Sequence, residues 1–182
     1  MQGFTEANHT KGIDKIKVIS VCGHDTQSAI TAVPCPDKQF AFISSGTWSL
    51  MGIESQEPII SEQSFAMNFT NEGGVNYNRY QMNITGMWIV QNLRSELCPE
   101  TPYSDIVKMA EASDFEETFD VNDDMFTAPE SMKSAIDAYL FGHGKAVPKS
   151  INDYLKCAYN SLAFCYGRAI AEMEHNTGCQ YN

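Results

Sequence analysis

Apolar and polar positions in this chain change their period midway, and the change divides it into two regions. Lys17-Val18-Ile19-Ser20-Val21 is a β-branched run of strand length, and Phe40-Ala41-Phe42-Ile43 is a second apolar run of that kind. Between them, Asp25 to Val33 reads as a short helix with Asp25 or Thr26 at its N-cap, stopped by Pro34-Cys35-Pro36-Asp37. After the second run the chain turns at Gly46. Trp48-Ser49-Leu50-Met51-Gly52-Ile53 then alternates as an antiparallel return strand does. Ser61 to Met67 predicts a helical turn or two, and Asn71-Glu72-Gly73-Gly74 a tight turn or bulge before an extended Tyr77 to Met82.

From Ile84 onward the period is helical. Ile84 to Leu97 predicts a helix with Met87, Val90, Arg94 and Leu97 on one stripe and Trp88 beside it, and Ser104 to Glu111 a shorter one. Thr127, with Pro129 in the first turn and Glu130 completing a capping box, starts a helix to about Phe141 that Gly142 and Gly144 end. The longest helix begins at Ser150, with Asp153 at its third position, and reaches about His175. Ile151, Leu155, Ala158, Leu162, Cys165, Ala169 and Met173 form its apolar stripe. The expected class is α/β, a short mixed or antiparallel sheet of strands in the first half followed by several helices. One incomplete domain covers 1–182, with sheet and site at 18–97 and a helical region at 98–182. A stripe as regular as the last one needs a partner surface, which a following strand would ordinarily supply. None follows, so the chain reads as a fragment.

Composition removes several classes. With 43% hydrophobic and 19% charged residues over 182 positions, the chain suits an ordered domain. A net charge of −11 and no basic run among aromatics argue against nucleic acid as partner. A single nucleotide stays open, because backbone amides and a metal ion can hold phosphates without positive protein charge. The first residues form no signal peptide and no apolar run is long enough to span a bilayer, so a cytoplasmic location is expected and no membrane partner. The six cysteines are scattered without a CxxC pair, and Cys157 and Cys165 read as packing residues on one helix. Asp120, Asp123 and Asp124 lack the graded spacing and closing Glu of a calcium loop and read as an exposed acidic turn, so no metal ligand is assigned.

Two polar segments stand where apolar strands end: Gly23-His24-Asp25-Thr26 and Ser44-Ser45-Gly46-Thr47-Trp48-Ser49. Strand ends are where α/β proteins build sites, because a rigid sheet holds the loop while its backbone stays open to ligand. A carboxylate on one loop and a small-hydroxyl-glycine turn on the next suggest a base beside a phosphate cradle. The same residue types also make ordinary turns, and spacing alone favours that plainer reading.

Longer strings carry more. Ser44-Ser45-Gly46-Thr47-Trp48-Ser49-Leu50-Met51-Gly52, with His24-Asp25-Thr26 upstream and Thr70-Asn71-Glu72-Gly73-Gly74 downstream, closely resembles the rhamnulokinases, sugar kinases of the FGGY carbohydrate-kinase family. Asn83-Ile84-Thr85-Gly86-Met87-Trp88-Ile89-Val90-Gln91 resembles the helix start that follows in those enzymes, and Pro129 to Tyr139 and Ser161-Leu162-Ala163 resemble later helices. The resemblance implies an actin-like, ribonuclease-H-like ATPase fold of two domains with the site between them. It implies transfer of the γ-phosphate of ATP, with Mg²⁺, to the 1-hydroxyl of L-rhamnulose.

By the same resemblance Asp25 matches the catalytic base, a role a helix cap can also hold, and His24 and Thr26 match sugar contacts. Asn83 matches a sugar contact. Gly46 and Thr47 match the phosphate turn, and Gln91 a nucleotide contact about 12 Å from Asn83 along a helix. Glu72, Gly73 and Gly74 are read as shaping a hairpin. The family's glycine-rich N-terminal loop and its later Gly-Gly-Gly strand have no counterpart here, so the chain by itself is expected to lack kinase activity. Another FGGY ketose or polyol kinase, or a non-catalytic sugar- or nucleotide-binding module, are the competing readings.

Overall fold

The computed structural model describes residues 24–35, 39–74 and 76–181. The strand predicted at Lys17 to Val21, with Cys22, Gly23 and the Pro36-Asp37 stop, lies outside the described residues. Helix α1 spans Asp25–Thr31, two residues shorter than predicted, and its N-cap is His24, neither Asp25 nor Thr26. Strands β1 (Ala41–Ser45) and β2 (Trp48–Ser55) form the predicted antiparallel hairpin around a bend at Gly46 and Thr47. Helix α2 (Glu62–Ala66) is capped by the Ser61 hydroxyl, which accepts from the Ser64 N–H at 3.0 Å. Strands β3 (Phe69–Gly73) and β4 (Asn78–Thr85) complete a four-stranded, wholly antiparallel sheet of order β1-β2-β4-β3.

Two expectations fail in the middle of the chain. Asn71, Glu72 and Gly73 are strand residues paired with Tyr80, Arg79 and Asn78, and the hairpin turn falls later, where the Gly74 N–H donates to the Tyr77 carbonyl at 2.8 Å. Asn83, Ile84 and Thr85 belong to β4, so helix α3 runs only over Trp88–Leu97 and buries Ile89, Val90 and Leu93. The predicted helical separation of Asn83 and Gln91 goes with it. Ile84 to Met87 satisfies either period, and eight paired positions on β2 settle Ile84 and Thr85 as strand, leaving Met87 as the N-cap of α3.

The helical half is closer to expectation. Helix α4 is Tyr103–Glu111. Helix α5 spans Met132–Gly142, capped by Ser131 instead of Thr127, which ends a short 3₁₀ turn at Asp124–Phe126. Ser131 wins because its hydroxyl also donates to Glu96 on α3 at 2.6 Å. Helix α6 spans Ile151–Thr177 with the full Ser150/Asp153 capping box, and Gly178 closes it at φ +68°. Its stripe from Leu155 to Met173 is buried against α3, α4 and β2, so the partner surface comes from within the chain.

Residues opposite each other in the register share a face of the sheet. Met51, Ile53, Tyr80 and Ile84 lie on the face that joins the helices in one core. Trp48, Leu50, Gly52 and Glu54 lie on the other face, with Asn83, Gln81 and Arg79 opposite the last three. That second face carries α1 and the predicted site. Cys157 and Cys165 are core residues, as expected, and burial pushes their thiols up to about 12 and about 11.

Candidate functional site

Helix α1 delivers the first predicted group. Asp25 is its first residue, and its carboxylate Oδ1 accepts the Thr26 N–H at 2.7 Å, with the Thr26 hydroxyl at 3.5 Å and His24 Nε2 at 4.0 Å. The Asp25 side chain is fully exposed, and Oδ2 has no partner among the described residues. A local N–H thus fixes one oxygen and leaves the other facing outward. The acidic triplet predicted as a turn behaves as one: Asp120 and Asp123 each accept a backbone N–H two residues on, at 3.0 Å. Among the described residues no group of three or more His, Cys, Asp or Glu could hold a metal ion.

The β1–β2 hairpin delivers the second. The Gly46 N–H donates to the Trp48 carbonyl at 2.9 Å. The Gly46 and Thr47 carbonyls accept the Met87 and Trp88 N–H groups at 3.0 and 3.1 Å. These bonds bolt the turn to the start of α3. Gly86 makes the approach possible, since a Cβ there would lie 2.6 Å from Ser49 Oγ and 2.8 Å from the Trp48 carbonyl carbon. Ser49 is fully buried and shares a 2.7 Å hydrogen bond with the Tyr166 hydroxyl of α6. The Thr47 side chain stays exposed at the tip, without a hydrogen-bond partner among the described residues. A Cβ on Gly46 would meet only the Trp48 carbonyl oxygen, at 3.5 Å, so the turn presents an open backbone face.

Both deliveries meet at one cleft of about 510 Å³. His24 and Thr26 line it from α1, and Ser44, Ser45 and Gly46 from the hairpin. Asn83 and the half-exposed Trp48 complete it from the sheet. Four predicted residues, His24, Thr26, Gly46 and Asn83, are therefore brought together. Asp25 and Thr47 adjoin their lining neighbours, and Gln91 sits half-buried a turn into α3, outside the cleft. Motif reading passed over Ser44, Ser45 and Leu50 as lining residues, and also a second hollow of about 310 Å³ that shares Trp48 and Asn83 and reaches Asp120, Asn122 and Arg168. The distant members of that hollow are joined by the Asn122 side chain accepting the Thr85 N–H at 3.0 Å, a contact no local pattern announces.

The exposed carboxylate of Asp25 at a helix start adjoins a polar cleft lined from the other side by the Gly46 turn, and that cleft has the size and lining of a small-molecule site. The C-terminal domain model of the FGGY family of carbohydrate kinases matches residues 41–182. The chain belongs to that family, and its antiparallel sheet with packed helices is that family's actin-like, ribonuclease-H-like α/β ATPase fold. Over 170 residues it is 40% identical to a rhamnulokinase of Oceanobacillus iheyensis, covering 93% of this chain and 36% of that protein. A rhamnulokinase of Bacteroides thetaiotaomicron is 39% identical, with 92% and 35% covered, and one of Bacillus subtilis 36% identical, with 87% and 33%. The chain thus spans about a third of the length of the curated relatives it matches. No helix among the described residues is long and apolar enough to cross a membrane.

Proposed function

We propose that this chain is the C-terminal part of a cytoplasmic ATP-dependent sugar kinase acting on the 1-hydroxyl of L-rhamnulose in rhamnose catabolism. In this reading 1–182 is one incomplete domain, and a partner N-terminal domain closes the cleft from the other side. The observation that carries it is the exposed Oδ2 of Asp25, without a partner among the described residues, beside the cleft lined by His24, Thr26 and the Gly46 turn.

Asp25 takes the proton of the sugar hydroxyl at Oδ2, while the Thr26 N–H holds Oδ1 and fixes the approach. His24 and Thr26 hold sugar hydroxyls on the α1 side of the cleft, and Asn83 holds another from the sheet. The sterically open face at Gly46 and the exposed Thr47 hydroxyl, without a partner among the described residues, leave room for a phosphate chain, and Gln91 serves the nucleotide further along α3. ATP supplies the transferred phosphoryl group, with Mg²⁺ neutralising its charge. Among the described residues Asp25 is the carboxylate that adjoins this cleft, and it is assigned as the base, so no residue here is given to Mg²⁺.

The test is ADP release by the full-length kinase carrying this segment, measured across a panel of ketoses and polyols. The highest kcat/KM is expected with L-rhamnulose. A higher value with another sugar would reassign the substrate, and no turnover with any would overturn the kinase reading. The chain alone is expected to give no measurable turnover.

A further inference from the structure

We propose that Glu72 and Arg79, far from the sugar motif in sequence, are positioning residues for the Asp25 carboxylate, acting by clamping both ends of α1 to the sheet; this rests on the kinase reading above. Helix α1 has seven residues, too few to persist unaided in water. Its buried positions are Gln27 and Ile30, with the exposed Thr31 on the same helical stripe, and only Ile30 is apolar. The sheet beneath is polar too: Arg79 and Gln81 are buried at 0% and 1% exposure, and Gln27 above them at 4%.

Each end of the helix has its own clamp. At the front, Gln27 Nε2 donates to Glu72 Oε2 in a close contact and lies 3.5 Å from Gln81 Oε1. At the back, Arg79 Nη2 donates to the Thr31 hydroxyl at 2.8 Å and to the Tyr77 hydroxyl at 2.5 Å, with Glu54 Oε1 at 3.6 Å. Tyr77 in turn lies 3.1 Å from the Thr31 hydroxyl. Apolar contacts tolerate sliding of a helix over a sheet, whereas directional polar pairs accept one registration. The front clamp sits two residues beyond Asp25 on the same turn, so the registration it sets is that of the carboxylate. A misplacement of about 1 Å in a reacting group can cost on the order of a hundredfold in rate.

The test is Glu72→Ala in the full-length kinase, with Glu72→Gln as conservative rescue because its amide oxygen still accepts from Gln27. Expected for Glu72→Ala is a fall in kcat of about 10- to 100-fold per folded enzyme, with the KM values for sugar and ATP changed less than about threefold. Amide exchange over residues 25–31 should rise, and Glu72→Gln should recover most of both. If Glu72→Ala does not fold, Gln27→Met removes the same link from the helix side at similar volume and should reproduce the kcat loss. Unchanged kcat in whichever variant folds would overturn the clamp while leaving the kinase reading intact. So would a loss that Glu72→Gln fails to rescue with exchange over 25–31 unaltered. A wild-type enzyme without sugar kinase activity would overturn both.

Discussion

Replacing Gly86 by alanine should unseat the Gly46-Thr47 turn. The new Cβ would lie 2.6 Å from Ser49 Oγ, 2.8 Å from Ser49 N and 2.8 Å from the Trp48 carbonyl carbon, and ordinary contact begins at 3.4 Å. Two of the three obstacles are backbone that no rotamer change can move, so the hairpin must retreat by about 0.6 Å to reach ordinary contact with them. The bonds from Met87 and Trp88 to the turn, at 3.0 and 3.1 Å, would stretch past the usual limit. Overpacking costs about 1–3 kcal/mol and each lost hydrogen bond about 1 kcal/mol, so a loss of about 3–5 kcal/mol is expected. In urea this lowers the unfolding midpoint by about 1–2 M. Gly142→Ala is the control, because a Cβ there meets nothing within 4 Å. It should leave the midpoint unchanged or raise it. A Gly86→Ala midpoint within about 0.3 M of wild type would refute the close-approach argument.

Two further outcomes follow from the caps. Ser131→Ala should destabilise the chain by about 0.5–2 kcal/mol while Thr127→Ala is nearly silent, and calorimetry giving the reverse order would contradict the position of α5. The Ser113 hydroxyl first, helped by the Ser150 hydroxyl and the N–H groups of Lys149 and Ser150, holds the Asp153 carboxyl below its ordinary range, although burial, second in size to Ser113, opposes them. A depressed folded pKa gives stability that is present above the ordinary value, near 3.9, and is lost as the pH falls through the folded one. Asp153→Asn should flatten that acid limb of the stability profile, and a limb equally steep in the variant would rule the contribution out.

Much of this fold was readable because its strongest signals are local. The β1–β2 hairpin announces itself by alternation on both sides of a glycine turn, and α6 by a capping box and an unbroken stripe. Where the reading failed, a distant contact outweighed a local pattern. Thr127 and Glu130 spell a capping box, yet Glu96 on α3 stabilises Ser131 instead. Ile84 to Met87 fits a helix, yet β2 claims it through Thr85. The site follows the same division. His24, Thr26, Gly46 and Asn83 were legible as motif residues and do share a cleft. The link from Gln27 to Glu72 was invisible, because nothing near either residue indicates that forty-five positions of chain fold back to join them.

The central claim is that the outward oxygen of Asp25 removes the sugar proton, and Asp25→Asn in the full-length kinase tests it most directly. The substitution keeps the shape and the Oδ1 acceptor for Thr26 while removing the basicity. With L-rhamnulose and ATP, kcat is expected to fall by about 10²–10⁴-fold, with sugar affinity by calorimetry and the melting temperature both close to wild type. Turnover within about threefold of wild type at full occupancy would contradict the assignment of the base.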